Sequence, residues 1–103
     1  MKHPLLFALS SGLAVASLTI EASEQLAKTK NCLACHGIEN KVVGPAYKEV
    51  AKKYEGQADA VGKLAEKVIK GGGGVWGQVP MPPNSQVSVD EAKQLVQWIL
   101  SLR

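Results

Sequence analysis

The stretch Cys32-Leu33-Ala34-Cys35-His36 decides how this chain is read. Two thiols separated by two residues, with an imidazole directly after the second, form the attachment pattern of a c-type haem. The spacing has a chemical basis. Within one turn of chain both thiols reach the two vinyl groups along one edge of a haem, and the adjacent imidazole falls over the iron as a proximal ligand. Cys-x-x-Cys pairs also serve as redox disulfides and as halves of zinc sites. A thioredoxin-like motif belongs in a strand–helix–strand context, however, and a zinc site needs two more Cys or His ligands. The chain has no further Cys, and its other His, His3, stands at the extreme N-terminus. The motif therefore predicts one covalently bound haem c, with Cys32 and Cys35 as thioethers and His36 on the iron.

Upstream of the motif, Met1 to Ala22 reads as a secretory signal peptide. Lys2 gives a basic start, Leu5 to Ala16 an apolar stretch, and small residues follow. Cleavage after Ala22 leaves a hydrophilic start and is favoured over Ala16, although Ala14-Val15-Ala16 also satisfies the small-x-small rule. The alternative is an uncleaved anchor. The apolar run from Pro4 to Ile20 only just reaches the roughly 17–25 residues of a membrane span, and it is interrupted by Ser10, Ser11, Gly12 and Ser17. Export to the periplasm also suits the chemistry, because bacterial haem attachment is completed outside the cytoplasmic membrane. No stable membrane insertion is expected after cleavage.

Removing residues 1–22 leaves one His and one Met, His36 and Met81. A six-coordinate iron needing a second strong ligand then finds only one thioether and no competing imidazole, while lysine amines are mostly protonated at neutral pH. Met81 lies between Pro80 and Pro82, which restrict the backbone so that little order is lost on binding iron. The preceding Gly71-Gly72-Gly73-Gly74 permits close approach to a flat ligand. Nothing resembling a phosphate-binding loop fits there, since no strand precedes it and no helix follows. Three further residues have two readings each. Trp76 either donates its indole N–H to a haem propionate or packs on the ring edge. Asn84 either hydrogen-bonds near the Met81 sulfur or serves as a turn residue. The Pro45 carbonyl either accepts from His36 Nδ1, which leaves Nε2 for iron, or Pro45 simply makes a turn.

Helical signals surround these loops. Residues 24–31 form a short helix leading into the motif, with Glu24 in the first turn and Lys28 and Lys30 near the last. Tyr47, Val50, Ala51 and Tyr54 recur at helical spacing, and Gly56 ends that element. Asp59 caps the next helix, which runs to about Lys70 with Val61, Leu64, Ala65, Val68 and Ile69 inward. Ser88-Val89-Asp90-Glu91 is a capping box opening a last helix, whose stripe is Ala92, Leu95, Val96, Ile99 and Leu100. Trp98 falls off that stripe and reads as packing. This last helix is expected to cross the first and close the haem pocket. Residues 23–103 thus make one small domain whose core is marginal without the haem as a staple. The net charge of +3, an aromatic content of 5% and the absence of basic runs interleaved with aromatics do not point to nucleic acid.

Taken together, residues 23–103 resemble the small bacterial class I monohaem cytochromes c of the c-551/c-552 type. The likeness rests on the helix into Cys-x-x-Cys-His, on Val43-Gly44-Pro45-Ala46-Tyr47, on Gly74-Val75-Trp76-Gly77-Gln78-Val79-Pro80-Met81-Pro82-Pro83-Asn84, and on Trp98-Ile99-Leu100-Ser101-Leu102. The resemblance implies an all-α fold of about four helices wrapped around one covalently bound haem, with His36 and Met81 as axial ligands. It places the Pro45 carbonyl on His36, Trp76 and Lys67 near a propionate, and Asn84 beside the Met81 sulfur. It further implies a monomeric periplasmic single-electron carrier rather than an enzyme. Its partners would be periplasmic or membrane-bound redox proteins, such as a nitrite reductase, a terminal oxidase or a cytochrome bc1-type donor. Independently, two protein ligands on the iron leave no open position for substrate, and Lys28, Lys30, Lys41 and Lys70 offer weak, salt-dependent steering of an acidic partner. The rivals are a haem enzyme or gas sensor in which Met81 is displaced, and a subunit tethered by an uncleaved N-terminus.

Overall fold

The computed structural model describes residues 21–103. The expected leader falls outside the described residues except for Glu21 and Ala22, which are helical. Among the described residues there are four α-helices and no strand: α1 (residues 21–29), α2 (Tyr47–Lys53), α3 (Ala60–Lys70) and α4 (Val89–Leu100). A 3-10 turn, Cys32–Ala34, carries the attachment motif between α1 and α2. The all-α expectation holds, and two isolated antiparallel bridges, His36 with Lys41 and Gly72 with Met81, are the only ladder pairings among the described residues.

Helix α1 ends earlier than the 24–31 expectation. Asn31 takes a left-handed conformation (φ 68°), which asparagine tolerates better than most residues and which breaks the helix just before Cys32. Helix α2 begins after Ala46 and stops at Tyr54, with Gly56 at positive φ completing the exit. Asp59 does occupy the N-cap of α3, but its carboxylate makes no cap bond. It pairs instead with Lys63 at 2.9 Å, an i,i+4 contact on the solvated face. Helix α4 has the reciprocal capping box: Glu91 N donates to Ser88 Oγ at 3.1 Å, and Ser88 N donates to Glu91 Oε1 at 2.9 Å.

The core lies where α4 meets α2 and α3. Leu95, Val96, Ile99 and Ala92 of α4 are buried together with Val50 and Tyr47 of α2, Ala65 of α3, Ala27 of α1 and Val87. Trp98 belongs to this buried set, contrary to its expected place off the stripe. Because α4 is covered by more than one helix, its buried arc is wider than a single i, i+3, i+4 stripe. The Trp98 ring meets Tyr47 edge-on at 5.7 Å and 82°, a favoured aromatic geometry. Polar contacts fasten α1 to the start of α4. Lys30 pairs with Glu91 at 3.5 Å, and Gln94 Nε2 donates to Ser23 Oγ at 3.4 Å. Arg103 pairs with Glu55 at 2.7 Å and holds the C-terminus to the turn after α2.

Candidate haem site

The attachment turn and the ligand loop open into one cavity. Its floor is apolar, formed by Val50 of α2, Leu64 and Val68 of α3, and Leu95, Val96 and Ile99 of α4. Cys32, Cys35 and His36 line it from the 3-10 turn, and Met81 lines it from the loop after α3. Both cysteines are half-buried in the cavity wall, and neither forms a disulfide.

His36 is held on several sides. Its Nδ1 lies 2.8 Å from the Pro45 carbonyl, and a carbonyl only accepts, so Nδ1 carries the proton and Nε2 keeps its lone pair. The ring stacks on Tyr47 at 4.9 Å with 21° between the planes. A Cβ added to Gly44 would fall 2.6 Å from His36 Cε1, so only glycine lets the backbone pass this close. Gly44 N and Val43 N both donate to the Cys35 carbonyl, at 2.7 and 3.0 Å, which folds the Val43–Pro45 segment back under the motif. Of the two readings of Pro45, the carbonyl contact with His36 is the one the fold-back brings about.

The Tyr47 hydroxyl faces Cys32. Burial pushes the Tyr47 hydroxyl far above the usual phenol range, and the neighbouring Cys32 adds to the shift. Burial likewise raises the Cys32 thiol, partly offset by its hydrogen bond with Tyr47. Before haem attachment neither group ionises near neutral pH, so this wall is uncharged as an apolar macrocycle enters.

On the Met81 side, Gly72 and Met81 exchange both backbone bonds, at 3.0 and 2.7 Å, and tie the loop to the end of α3. Gly71 takes φ 75°, and a Cβ there would meet the Met81 carbonyl at 2.5 Å, so the reversal needs glycine. Asn84 is a clamp: its N donates to the Ile69 carbonyl at 3.1 Å, and its amide Nδ2 donates to the carbonyls of Val68 (2.9 Å) and Pro82 (3.2 Å). Both amide hydrogens are thus engaged by carbonyls on either side of the Met81 segment.

Lys67 and Trp76 also line the cavity. On α3, Lys63 pairs with Asp59 and Lys70 with Glu66, whereas Lys67, half-buried between them, has no carboxylate partner among the described residues. Its ammonium lies against the backbone of Gly72, at the cavity wall. Trp76 stands at the rim, 41% exposed, with Lys53 Nζ 5.6 Å over its ring. This cation–π contact from α2 was not legible in the sequence, because it joins residues that only the fold brings together.

These residues fit a c-type haem. Two thiols and an imidazole with a free Nε2 line an apolar cleft, and the same cleft is lined by Lys67 and Trp76, side chains able to donate to an anionic group.

Comparison with known proteins agrees. The cytochrome c family model matches residues 20–103. A cytochrome c-552 of Hydrogenobacter thermophilus is 58% identical over 97 residues, covering 94% of this chain and 97% of that protein. A cytochrome c-551 of Pseudomonas aeruginosa is 50% identical over 100 residues, covering 92% and 95%. The crystal structure of Nitrosomonas europaea cytochrome c552 superposes with a TM-score of 0.76 at 55% identity, covering 78% of this chain and 99% of that one. A class 1 cytochrome from Sideroxydans lithotrophicus superposes with a TM-score of 0.67 at 37% identity, covering 81% and 95%. With the motif, the fold and these relatives in agreement, the chain belongs to the cytochrome c family, as an all-α electron carrier of the c-551/c-552 type that holds one covalent haem c.

Proposed function

We propose that this cytochrome works as a periplasmic single-electron carrier with His36 and Met81 as the two axial ligands. The observation that carries the reading is the His36 Nδ1 contact with the Pro45 carbonyl, which commits Nε2 to the cavity that Met81 also lines. Bound haem supplies a one-electron iron couple, and the rest of the function falls to this chain. Cys32 and Cys35 fix the macrocycle covalently. His36 is locked in tautomer and orientation by Pro45, Tyr47 and Gly44. Met81, on a loop pinned to α3, would supply the second ligand, which would leave no open place for a substrate and keep the same ligands in both oxidation states. A thioether and an apolar pocket both favour the ferrous state and raise the potential. Lys67 and Trp76, which both line the cavity, would hold the propionates.

Residues 1–22 are the proposed signal peptide, leaving residues 23–103 in the periplasm. Among the described residues no helix is long and apolar enough to cross a membrane. The proposed partners are redox proteins such as a nitrite reductase or terminal oxidase as acceptor and a cytochrome bc1-type complex as donor. Lys28, Lys41 and Lys70 would contribute weak steering that fades with salt.

The test is the visible spectrum of the purified exported protein, oxidised and reduced, with and without carbon monoxide. The expected result is a weak long-wavelength sulfur-to-iron band in the oxidised form and a reduced spectrum that carbon monoxide leaves unchanged. Loss of that band together with ready carbon monoxide binding would move the assignment to a haem enzyme or gas sensor.

A further inference from the structure

A polar strap joins two segments that lie far apart in the chain. Lys30, two residues before the first attachment cysteine, donates from Nζ to the Gln86 carbonyl at 3.0 Å. Gln86 Nε2 donates back to the Lys30 carbonyl at 3.3 Å, so each side chain holds the other's backbone. The second hydrogen of the same amide reaches Asn84 Oδ1 at 3.2 Å. Asn84 passes the chain on to the carbonyls of Val68 and Pro82, and Pro82 directly follows Met81. An unbroken run of hydrogen bonds therefore leads from beside the cysteine attachments to beside the axial thioether without crossing the cavity. Lys30 is fixed at a second point by Glu91, and its side chain is only 22% exposed.

The chemistry of the amides gives this run a direction. A carboxamide has two orientations that exchange its donor and acceptor ends. With Gln86 donating, Asn84 must present Oδ1 to it, and the amino group then turns onto the Val68 and Pro82 carbonyls. The reverse orientation would set donor against donor and oxygen against two carbonyls. The Gln86 amide is itself oriented by the Lys30 backbone carbonyl, which can only accept and takes one of its two hydrogens, while the Lys30 ammonium holds the Gln86 backbone.

We propose that Gln86, anchored by Lys30, is a positioning residue for Met81: its amide sets the orientation of Asn84, and Asn84 holds the loop in the place from which the sulfur ligates. The proposal rests on the reading of Met81 as an axial ligand. Its energetic content is preorganisation. A loop already held in its ligating shape loses less freedom when the sulfur binds, so an outside ligand competes less well for the position.

The experiment titrates the ferric holoprotein with imidazole and follows loss of the sulfur-to-iron band. Wild type is compared with Gln86→Met, which keeps the length but removes the donor, and with Lys30→Met, which removes the ammonium that holds the Gln86 backbone carbonyl but keeps the Lys30 carbonyl and the apolar stem. The expected result is an apparent imidazole affinity about tenfold higher in Gln86→Met, the scale of one lost hydrogen bond, with Lys30→Met shifted in the same direction. In an Asn84→Ala background, Gln86→Met should add little, since its effect runs through Asn84. Denaturant unfolding followed by circular dichroism should move by less than the imidazole affinity. An unchanged affinity in Gln86→Met, an undiminished effect without Asn84, or an equal loss of global stability would each overturn the proposal. A wild-type protein without the sulfur band at all would instead remove the Met81 reading beneath it.

Discussion

At the scale of single residues, the site is built by atoms that leave His36 no freedom. The Pro45 carbonyl selects the tautomer, the Tyr47 ring covers one face, and the missing Cβ of Gly44 admits the backbone to the ring. Gly44→Ala places a methyl 2.6 Å from His36 Cε1, a contact that ring or backbone must relieve by moving. The expected cost is about 1–3 kcal/mol of stability, as for overpacked interiors, and thermal unfolding of the holoprotein measures it. Met81→Ala acts at the other proposed ligand. It removes the thioether without touching the attachment motif, so the reduced protein should gain carbon monoxide binding and the oxidised protein should lose the sulfur band. His36 was legible as a candidate from the motif, and Met81 because residues 23–103 hold no other thioether; the structure brings both to one cavity. The engagement of both Asn84 amide hydrogens by carbonyls was not legible. It depends on where α3 ends relative to a loop some sixteen residues on.

Among the elements, the helices were visible in the sequence wherever period and capping agreed. The Ser88–Glu91 box opens α4 as read, with both of its bonds formed. Where only one signal was available, local chemistry diverged. Asp59 marks the start of α3, but the competing ammonium of Lys63 one turn away takes its carboxylate. The box makes a definite prediction, because α4 packs on α2 and α3 and carries much of the core. Ser88→Ala should cost about 1 kcal/mol. For a domain of this size that lowers the midpoint of thermal unfolding by roughly 4–8 °C. Glu91 adds a pH dependence. Its carboxyl is held below the ordinary value of 4.5, first by the Ser88 N–H and then by Lys30. A depressed carboxyl stabilises the fold above its unfolded value, and that contribution fades as pH falls through the lower folded value. Glu91→Gln retains an acceptor for the box but loses the charge. The stability gap between wild type and this variant should therefore be present near neutral pH and shrink on acidification below 4.5, as read by denaturant unfolding across that range.

For the whole molecule, the cavity and the core are made by the same side chains. Leu95, Val96 and Ile99 are buried members of the core and also line the haem cavity, and Val50 does both from α2. Helix α3 shows the consequence: Ala65 is buried, while Leu64 and Val68 are only partly covered and face the cavity, packed at the edge of the core. The all-α class was legible because apolar residues recur at helical spacing through α2, α3 and α4, while the shortness of the chain predicts that its core needs a staple. The contacts that join its parts, Lys30 to Gln86 and Lys53 to Trp76, were not, since sequence spacing carries no sign of them. From this shared construction follows the behaviour of a chain that cannot attach haem. In Cys32→Ala/Cys35→Ala the thioether bonds are impossible, and the apolar floor would face water across the cleft. Each of those side chains then forfeits much of the roughly 1.5–3 kcal/mol that full burial confers, a loss which over several residues exceeds the few kcal/mol a core of this size supplies. Far-ultraviolet circular dichroism of the double variant should show a largely unfolded chain at room temperature, with helix content recovering only in part when free haem is added. A cooperative, native-like melting transition in its absence would mean that the four helices hold their own core and that the haem is a passenger rather than a structural member.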